Sequence, residues 1–576
     1  MGGSNDTPSV DPAPGGAALT ATDAVDSSPG LRRSVGFWGL MCVSLGSIIG
    51  SGWLLSALSA AQSAGPAAIV SWVLAAAMLI VLALVFAELG GAYPVAGGSG
   101  RFPYYSHGAF GGFVATFASW LPSVAIAPIE ILGAITYLNS VSWVNHHFDM
   151  LNASTGLLNR TGLLVATLLM ILFTAMNLAG VKFMSESNGL VVIWKTLVPL
   201  VAIVVIGYLS FHPGNLTAGG SFMPAGIHGV FAALPLGVVF ALQGFEQAVQ
   251  LAGEARNPQR DVSRAIITAM IIGALLYIAL QAAFIFAVDP NDVRGGWAHP
   301  LGVGGAHSSY GAWYTLAIAV GAGWLAVVLI IDAVASPTGT GIVYIGTTAR
   351  LSYALGVLPE LPTRLATTDK RGVPVWSIVV SAVIGWLCFG PFPSWSKLVA
   401  VVTGATAIMY AFAPIALGAL RRRDGDRPRS YRMPLPDVLL PIAFISANLL
   451  LYWGSYGVEW KLDIALVVGA ALFLVGAAVK KTFSVDMFRH GYWIVPWLIG
   501  ATVIGYFGNY GGLHPIFNGF VFGEWTDVVV VAAFSLIVYY WALAVAAPSD
   551  QVAAAVAKDA DHRSGQHHDA DVATPA

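Results

Sequence analysis

Apolar and polar positions alternate along this chain on the scale of whole helices. Mostly apolar runs lie near 36–59, 66–89, 113–143, 161–179, 188–211, 229–253, 265–288, 311–335, 375–391 and 397–420, then near 435–456, 462–479, 492–510 and 526–547. Most reach the eighteen or more residues needed to cross about 30 Å of hydrocarbon as a helix. The pattern predicts fourteen membrane-spanning helices. The run at 375–391 is short, and that at 113–143 is long enough to tilt or bend.

The charges between the runs test this layout. With a cytoplasmic N-terminus, the inner loops carry Arg32, Arg33, Arg101, Lys182, Arg256, Arg260, Arg264, Arg350, Arg364, Lys370, Arg371, Arg421, Arg422, Arg423, Arg427, Arg429, Arg432, Lys480, Lys481 and Arg489. The outer loops carry only Arg160, Arg294, Lys397 and Lys461. This asymmetry follows the positive-inside rule, and shifting one span would destroy it. Both termini are expected in the cytoplasm.

Two runs are interrupted. Span 1 contains Gly46-Ser47-Ile48-Ile49-Gly50-Ser51-Gly52, three glycines in seven residues. Each glycine costs a helix about 1 kcal/mol relative to alanine. Lipid cannot hydrate the backbone groups that a break exposes, so a break persists only against protein or a wet cavity. Close helix packing through small residues is the plainer explanation of such a cluster. Span 6 repeats the theme, with Phe240-Ala241-Leu242-Gln243-Gly244-Phe245-Glu246 behind Pro235 and Gly237. Spans 1 and 6 are five apart and therefore oppositely oriented. Two broken helices so placed are the footprint of an inverted-repeat transporter, and the broken ends would offer N–H groups to an anion and C=O groups to a cation. No residue-level repeat accompanies the layout.

Composition narrows the alternatives. The 576 residues are 57% hydrophobic and 10% charged, against about 25% charged in a soluble domain. No basic domain suggests nucleic acid. Cys42 and Cys388 both lie in apolar runs, so no disulfide framework is indicated. Residues 1–34 and 548–576 are expected to be disordered tails, the first lacking the features of a cleaved signal. The histidine pairs 146–147 and 567–568 lack matching ligands for a metal, and no phosphate-cradling or nucleophile-elbow motif occurs. Neither an enzyme nor a cofactor or metal is expected.

Four ordered stretches carry a resemblance. They are Gly46–Gly52; Ala-Glu-Leu-Gly-Gly-Ala-Tyr-Pro-Val-Ala-Gly-Gly at 87–98; Phe240 through Ile266, with Gly-Phe-Glu and Arg-Asn-Pro-Gln-Arg-Asp; and Thr348–Leu351 with Arg371–Pro374, placed between spans 8 and 9. Over about residues 35–420 the chain resembles the amino acid–polyamine–organocation (APC) superfamily of permeases, in particular its proton-coupled amino acid branch. Ser263 stands where that family usually has proline, and four spans follow the ten-span core where two are usual.

The resemblance implies a substrate site. Ile48, Gly50, Ser51 and Gly52 would hold a substrate carboxylate. Carbonyls around Ser47, Phe240 and Ala241 would hold the amino group. Phe240 would cover the substrate, with Gln243 facing its side chain beside Gly244. Lys195, about 10 Å into span 5 along the helix, would stand where sodium sits in sodium-coupled relatives, tying span 1 to span 8 near Ser336. A lysine at this depth could instead snorkel to the interface.

The remaining intramembrane acids are ambiguous, although their cost makes them informative. Glu130 either faces the substrate or forms a structural hydrogen bond. Glu246 either titrates or caps the second half of span 6, and Asp332 either pairs with another buried group or acts. Glu88 and Glu254 belong to gates or to interfacial salt bridges.

The resulting expectation is an all-α polytopic membrane protein. It comprises a five-plus-five inverted-repeat core (35–211 and 228–420), peripheral spans 11–14 (433–547) and the two tails. Its function would be amino acid uptake across the plasma membrane by proton symport with alternating access. Polyamine or organic-cation uptake and amine exchange are the alternatives, and a non-transporting ligand sensor is the alternative of another class.

Overall fold

The computed structural model describes residues 35–558 except 96, 153–154, 180, 303–310, 357–362, 368, 370–372 and 518–521. Helices dominate, and no named strand occurs among the described residues. Among the described residues, ten helices are long and apolar enough to cross a membrane, and four shorter apolar helices accompany them.

Span 1 is two half-helices, Phe37–Ile48 and Ser51–Ala64. Spans 2 to 5 are Ala68–Ala92, Gly98–Leu138, Arg160–Ala179 and Val181–Leu209. Span 6 is segmented into Gly226–Ala232, a π-turn at Leu234–Val238, Val239–Leu242 and Gln247–Gln250. Spans 7 to 10 are Pro258–Ala287, Gly323–Gly356, Val375–Leu387 and Trp395–Arg423. The last four are Pro436–Trp453, Tyr456–Val479, Ile494–Phe507 and Thr526–Ala544.

Three elements differ from the sequence reading. Span 8 begins at Gly323 rather than 311, because a turn after Ala319 separates a short helix, Ala312–Ala319, from the span proper. The span then runs through Thr348–Leu351, which therefore lie in a helix and not a loop. Span 3 starts at Gly98, since Gly108 at φ +72° kinks two helices without separating them. Within the expected tail 548–576, residues 549–558 are helical. Their alanine-rich sequence favours helix, Val552 is buried, and Ala547 N–H donates to the Ser106 carbonyl of span 3 at 2.8 Å. Residues 1–34 and 559–576 lie outside the described residues.

Spans 3 and 10 are the most buried of the long helices. Span 3 packs against spans 8 and 10, and span 7 packs against spans 1 and 2. Spans 4 and 5 turn leucines and isoleucines such as Leu164, Leu168, Ile171, Leu190 and Ile193 outward. Such a face suits lipid tails, not water. The breaks in spans 1 and 6 thus lie inside protein, where unpaired backbone can find partners.

Candidate functional site

The two breaks meet. Gly244, at φ +118°, presses on span 1, and a side chain there would come within 2.8 Å of the Ser47 carbonyl carbon. A Cβ at Gly52 would lie 2.8 Å from that of Ala241. Ser44 Oγ donates to the Phe245 carbonyl (2.9 Å) and accepts from the Ala248 N–H (3.2 Å). The glycines in these two spans therefore serve close backbone approach as well as the breaks.

A small buried cavity lies at this meeting point. Ser47, Ile48, Gly50 and Gly52 line it from span 1, Phe240 and Gln243 from span 6, Ile126 and Glu130 from span 3, and Thr340 and Tyr344 from span 8. Phe240 meets Trp395 of span 10 edge-on, ring centroids 5.9 Å apart, and Trp395 Nε1 donates to Ser51 Oγ at 2.9 Å. These two rings close one side. Gln243 is 4% exposed, and both polar atoms of its amide are buried with no hydrogen-bond partner. A buried amide left unsatisfied is costly. Here it lines the cavity between the two breaks.

The start of the second half of span 1 is already occupied. Ser51 N–H and Oγ donate to the two oxygens of Glu130, at 2.7 and 3.2 Å. A Cβ at Gly50 would lie 2.7 and 2.9 Å from the same oxygens. The carboxylate thus sits on a helix N-terminus, where backbone N–H groups and the helix dipole favour an anion. Glu130 both lines the cavity and takes structural hydrogen bonds from Ser51.

The carbonyl end of the same break is held by three other spans. Lys195 Nζ donates to the Gly46 carbonyl at 2.5 Å and to Thr340 Oγ1 at 2.6 Å. Thr340 Oγ1 also lies within hydrogen-bond reach of the Gly46 and Ile49 carbonyls, at 3.1 and 3.2 Å. Tyr277 of span 7 donates to the Ile48 carbonyl at 2.9 Å. Lys195 is 1% exposed, so it does not snorkel. Its span 8 partner is Thr340, one helical turn beyond Ser336, whose own hydroxyl is buried without a partner.

The other acids have distinct settings. Glu246 accepts from Gly244 N–H (3.1 Å), Tyr410 (2.9 Å) and the Gln247 amide (3.2 Å), and so closes the break in its own helix. Asp332 accepts from Trp53 Nε1 at 3.0 Å, while its Oδ1 has no partner. Glu88 lies away from the cavity, gripped by Arg421 and by Met433 N–H (2.7 Å), with Arg429 3.3 Å away. It anchors span 2 to the end of span 10. Glu254 pairs with Arg350 at 3.0 Å, fastening the exit of span 6 to span 8.

The sequence reading missed Thr340, Tyr344, Tyr277 and Trp395. Asp332, Ser336 and Thr340 recur every four residues on one face of span 8, and that periodicity was the available signal for Thr340. Among the described residues, no group of three His, Cys, Asp or Glu side chains could hold a metal.

Comparison with known proteins agrees with this geometry. The model of the family described as amino acid permease matches residues 35–456. The chain is 35% identical over 518 residues to the glutamate/serine transporter AimA of Bacillus subtilis, covering 89% of this chain and 94% of the relative. It is 32% identical over 522 residues to the aspartate-proton symporter of the same organism, covering 89% and 96%. A branched-chain amino acid permease, BcaP, of that organism matches at 26%, covering 78% and 94%. With a buried cavity between two broken helices and a family match over most of its length, the chain belongs to the amino acid permease family of the APC superfamily, a multi-pass membrane transporter and not an enzyme.

Proposed function

We propose that the protein takes up an amino acid across the plasma membrane by proton symport, with both termini cytoplasmic. The observation that carries this reading is the Lys195 ammonium bonded at once to the Gly46 carbonyl of span 1 and Thr340 of span 8. A buried charge is tolerated only while it is paired and hydrogen-bonded. Protonation would favour the tie between spans 1 and 8, and deprotonation would loosen it. That is what coupling a proton to alternating access requires, with spans 1, 2, 6 and 7 rocking against spans 3, 4, 8 and 9 in an inverted-repeat core.

The substrate would lie in the cavity between the breaks. Its carboxylate would take over the Ser51 N–H from Glu130, its amino group would meet carbonyls around Ser47, Phe240 and Ala241, and Phe240 would cover it. The unsatisfied Gln243 amide favours a short side chain with hydrogen-bonding atoms. Two relatives above 30% identity carry names that include serine, glutamate and aspartate, which fits such a pocket. One observation favours a second reading: Glu130 would suit an amine as directly as it competes with a carboxylate, which keeps polyamines among the ligands to screen.

A thermal-shift screen over the twenty amino acids and common polyamines identifies the ligand. Uptake of that ligand into proteoliposomes, with and without an inward proton gradient, then tests the mechanism. The parent should concentrate substrate only with the gradient, and Lys195→Ala should lose that accumulation. Uptake that needs sodium and ignores pH, or an alanine variant that still concentrates substrate, defeats the proton-symport reading.

A further inference from the structure

Span 8 carries more buried polar chemistry than the tie to Lys195 uses. Asp332, Ser336 and Thr340 follow one another at four-residue intervals, covering about 12 Å of helix. All three are at most 1% exposed. Thr340 is engaged by Lys195, but Ser336 Oγ and Asp332 Oδ1 have no partner. Pro337 interrupts the same stretch, and with no N–H of its own it leaves the Ala333 carbonyl without its helical donor. Span 5 faces this file with Trp194, the neighbour of Lys195. Its buried indole N–H is directed at Asp332.

These open donors and acceptors lie in a row between a carboxyl group and an amine. Buried polar atoms without protein partners are satisfied by ordered water, which needs two to four such atoms around it. Two carboxylates act on the Lys195 charge, Glu130 from span 3 and Asp332 from span 8. Glu130 is already engaged by Ser51, whereas Asp332 keeps one oxygen open. The other titratable group facing Asp332 is Tyr137 of span 3, whose hydroxyl accepts from Tyr314 N–H at 2.9 Å. Span 1 presents Trp53 to it. Asp332 lies on the side of Thr340 toward the N-terminal end of span 8, which is the outer end in the proposed orientation.

We propose that Asp332 is the outward proton relay to Lys195, passing its proton along water held by Ser336 and Trp194. The inference rests on the proton-symport reading above. The carboxylic acid at Asp332 gives its proton to a bridging water, which gives one to the neutral amine of Lys195. The carboxylate left behind is reprotonated from the outer side. Glu130, on the substrate side, takes no part.

The test uses Asp332→Asn in proteoliposomes beside the parent. Asparagine still accepts the Trp53 hydrogen bond but cannot carry a proton, so a purely structural role predicts little change. The relay predicts that gradient-driven accumulation falls about a hundredfold, the lower range of what a positioned acid contributes. Counterflow exchange, which needs no net proton movement, should stay close to that of the parent. Ser336→Ala, which removes one station of the file, should slow driven uptake and spare counterflow, and it carries the test if the asparagine variant does not fold. Driven accumulation retained in both variants, with the parent gradient-driven and Lys195→Ala inactive, overturns the relay alone. Loss of counterflow together with accumulation overturns it too, because Asp332 would then serve substrate or structure. A parent indifferent to the gradient overturns both the relay and the symport reading.

Discussion

The two interrupted helices satisfy their exposed backbone in opposite ways. In span 6 the break supplies part of its own closure: Glu246 accepts from Gly244 N–H and the Gln247 amide, while Tyr410 and Ser44 of span 1 add contacts from outside. In span 1 Ile49 N–H bonds Leu45 within its own helix, and the other partners are borrowed. Glu130 of span 3 holds one end, and Lys195 of span 5, Tyr277 of span 7 and Thr340 of span 8 hold the other. A self-contained break can move as one piece with its helix. A borrowed one changes partners whenever the spans shift, so its energy depends on the conformational state. On the proposed reading, the difference would give switching to span 1 and presentation of Phe240 and Gln243 to span 6.

The largest effect should come from closing the borrowed break. In Gly50→Leu the new side chain would start 2.7 Å from Glu130 Oε1 and run on into the cavity. We expect the ligand-induced thermal shift to disappear while the protein still inserts, since the outward faces of the bundle are untouched. A shift equal to that of the parent would reduce Gly50 to a packing residue. Span 1 would then lose its claim to the substrate.

The sequence carried most of the fold and about half of this site, for physical reasons. Hydropathy and charge placement define spans because lipid imposes them residue by residue, and glycine clusters expose breaks because helix propensity is local. Lys195 was legible only from its depth taken together with the family resemblance, since depth alone left snorkelling open. Thr340 was not, because a threonine within reach of its own i−4 carbonyl, as Thr340 is of Ser336 at 3.4 Å, resembles any other in a helix. Glu130 was seen, but its seat on Ser51 depends on how spans 1 and 3 cross, which no local pattern encodes. The start of span 8 was misplaced because the short helix Ala312–Ala319 is as apolar as a span. Only its turn and the fold around it mark it as separate.

Phe240 tests the other side of the comparison, the fixed side chains of span 6. Phe240→Ala removes the ring that meets Trp395 and lines the cavity. Binding should weaken by about 1–3 kcal/mol, the scale of a buried aromatic's contact area, which is roughly five- to 150-fold in Kd. Proton coupling should persist, because Lys195 and its partners are untouched. Isotherms within twofold of the parent would show that the ring does not cover the substrate.

The smallest effects come from one substitution made in both breaks, and there the comparison is sharpest. In Glu246→Gln the amide oxygen can still accept from Gly244 and Tyr410, and no proposed ligand contact changes. Affinity should therefore remain close to that of the parent. In Glu130→Gln the charge leaves the start of a half-helix, where an anion is worth about 1 kcal/mol. If the substrate carboxylate competes for Ser51 N–H, weakening its competitor should tighten amino acid binding about fivefold, the equivalent of 1 kcal/mol. If the ligand is an amine held by Glu130, the same change should weaken binding instead. Titration calorimetry of the two variants against the ligand from the thermal-shift screen reads both signs. Equal responses in the two variants would erase the distinction between a self-contained break and a borrowed one.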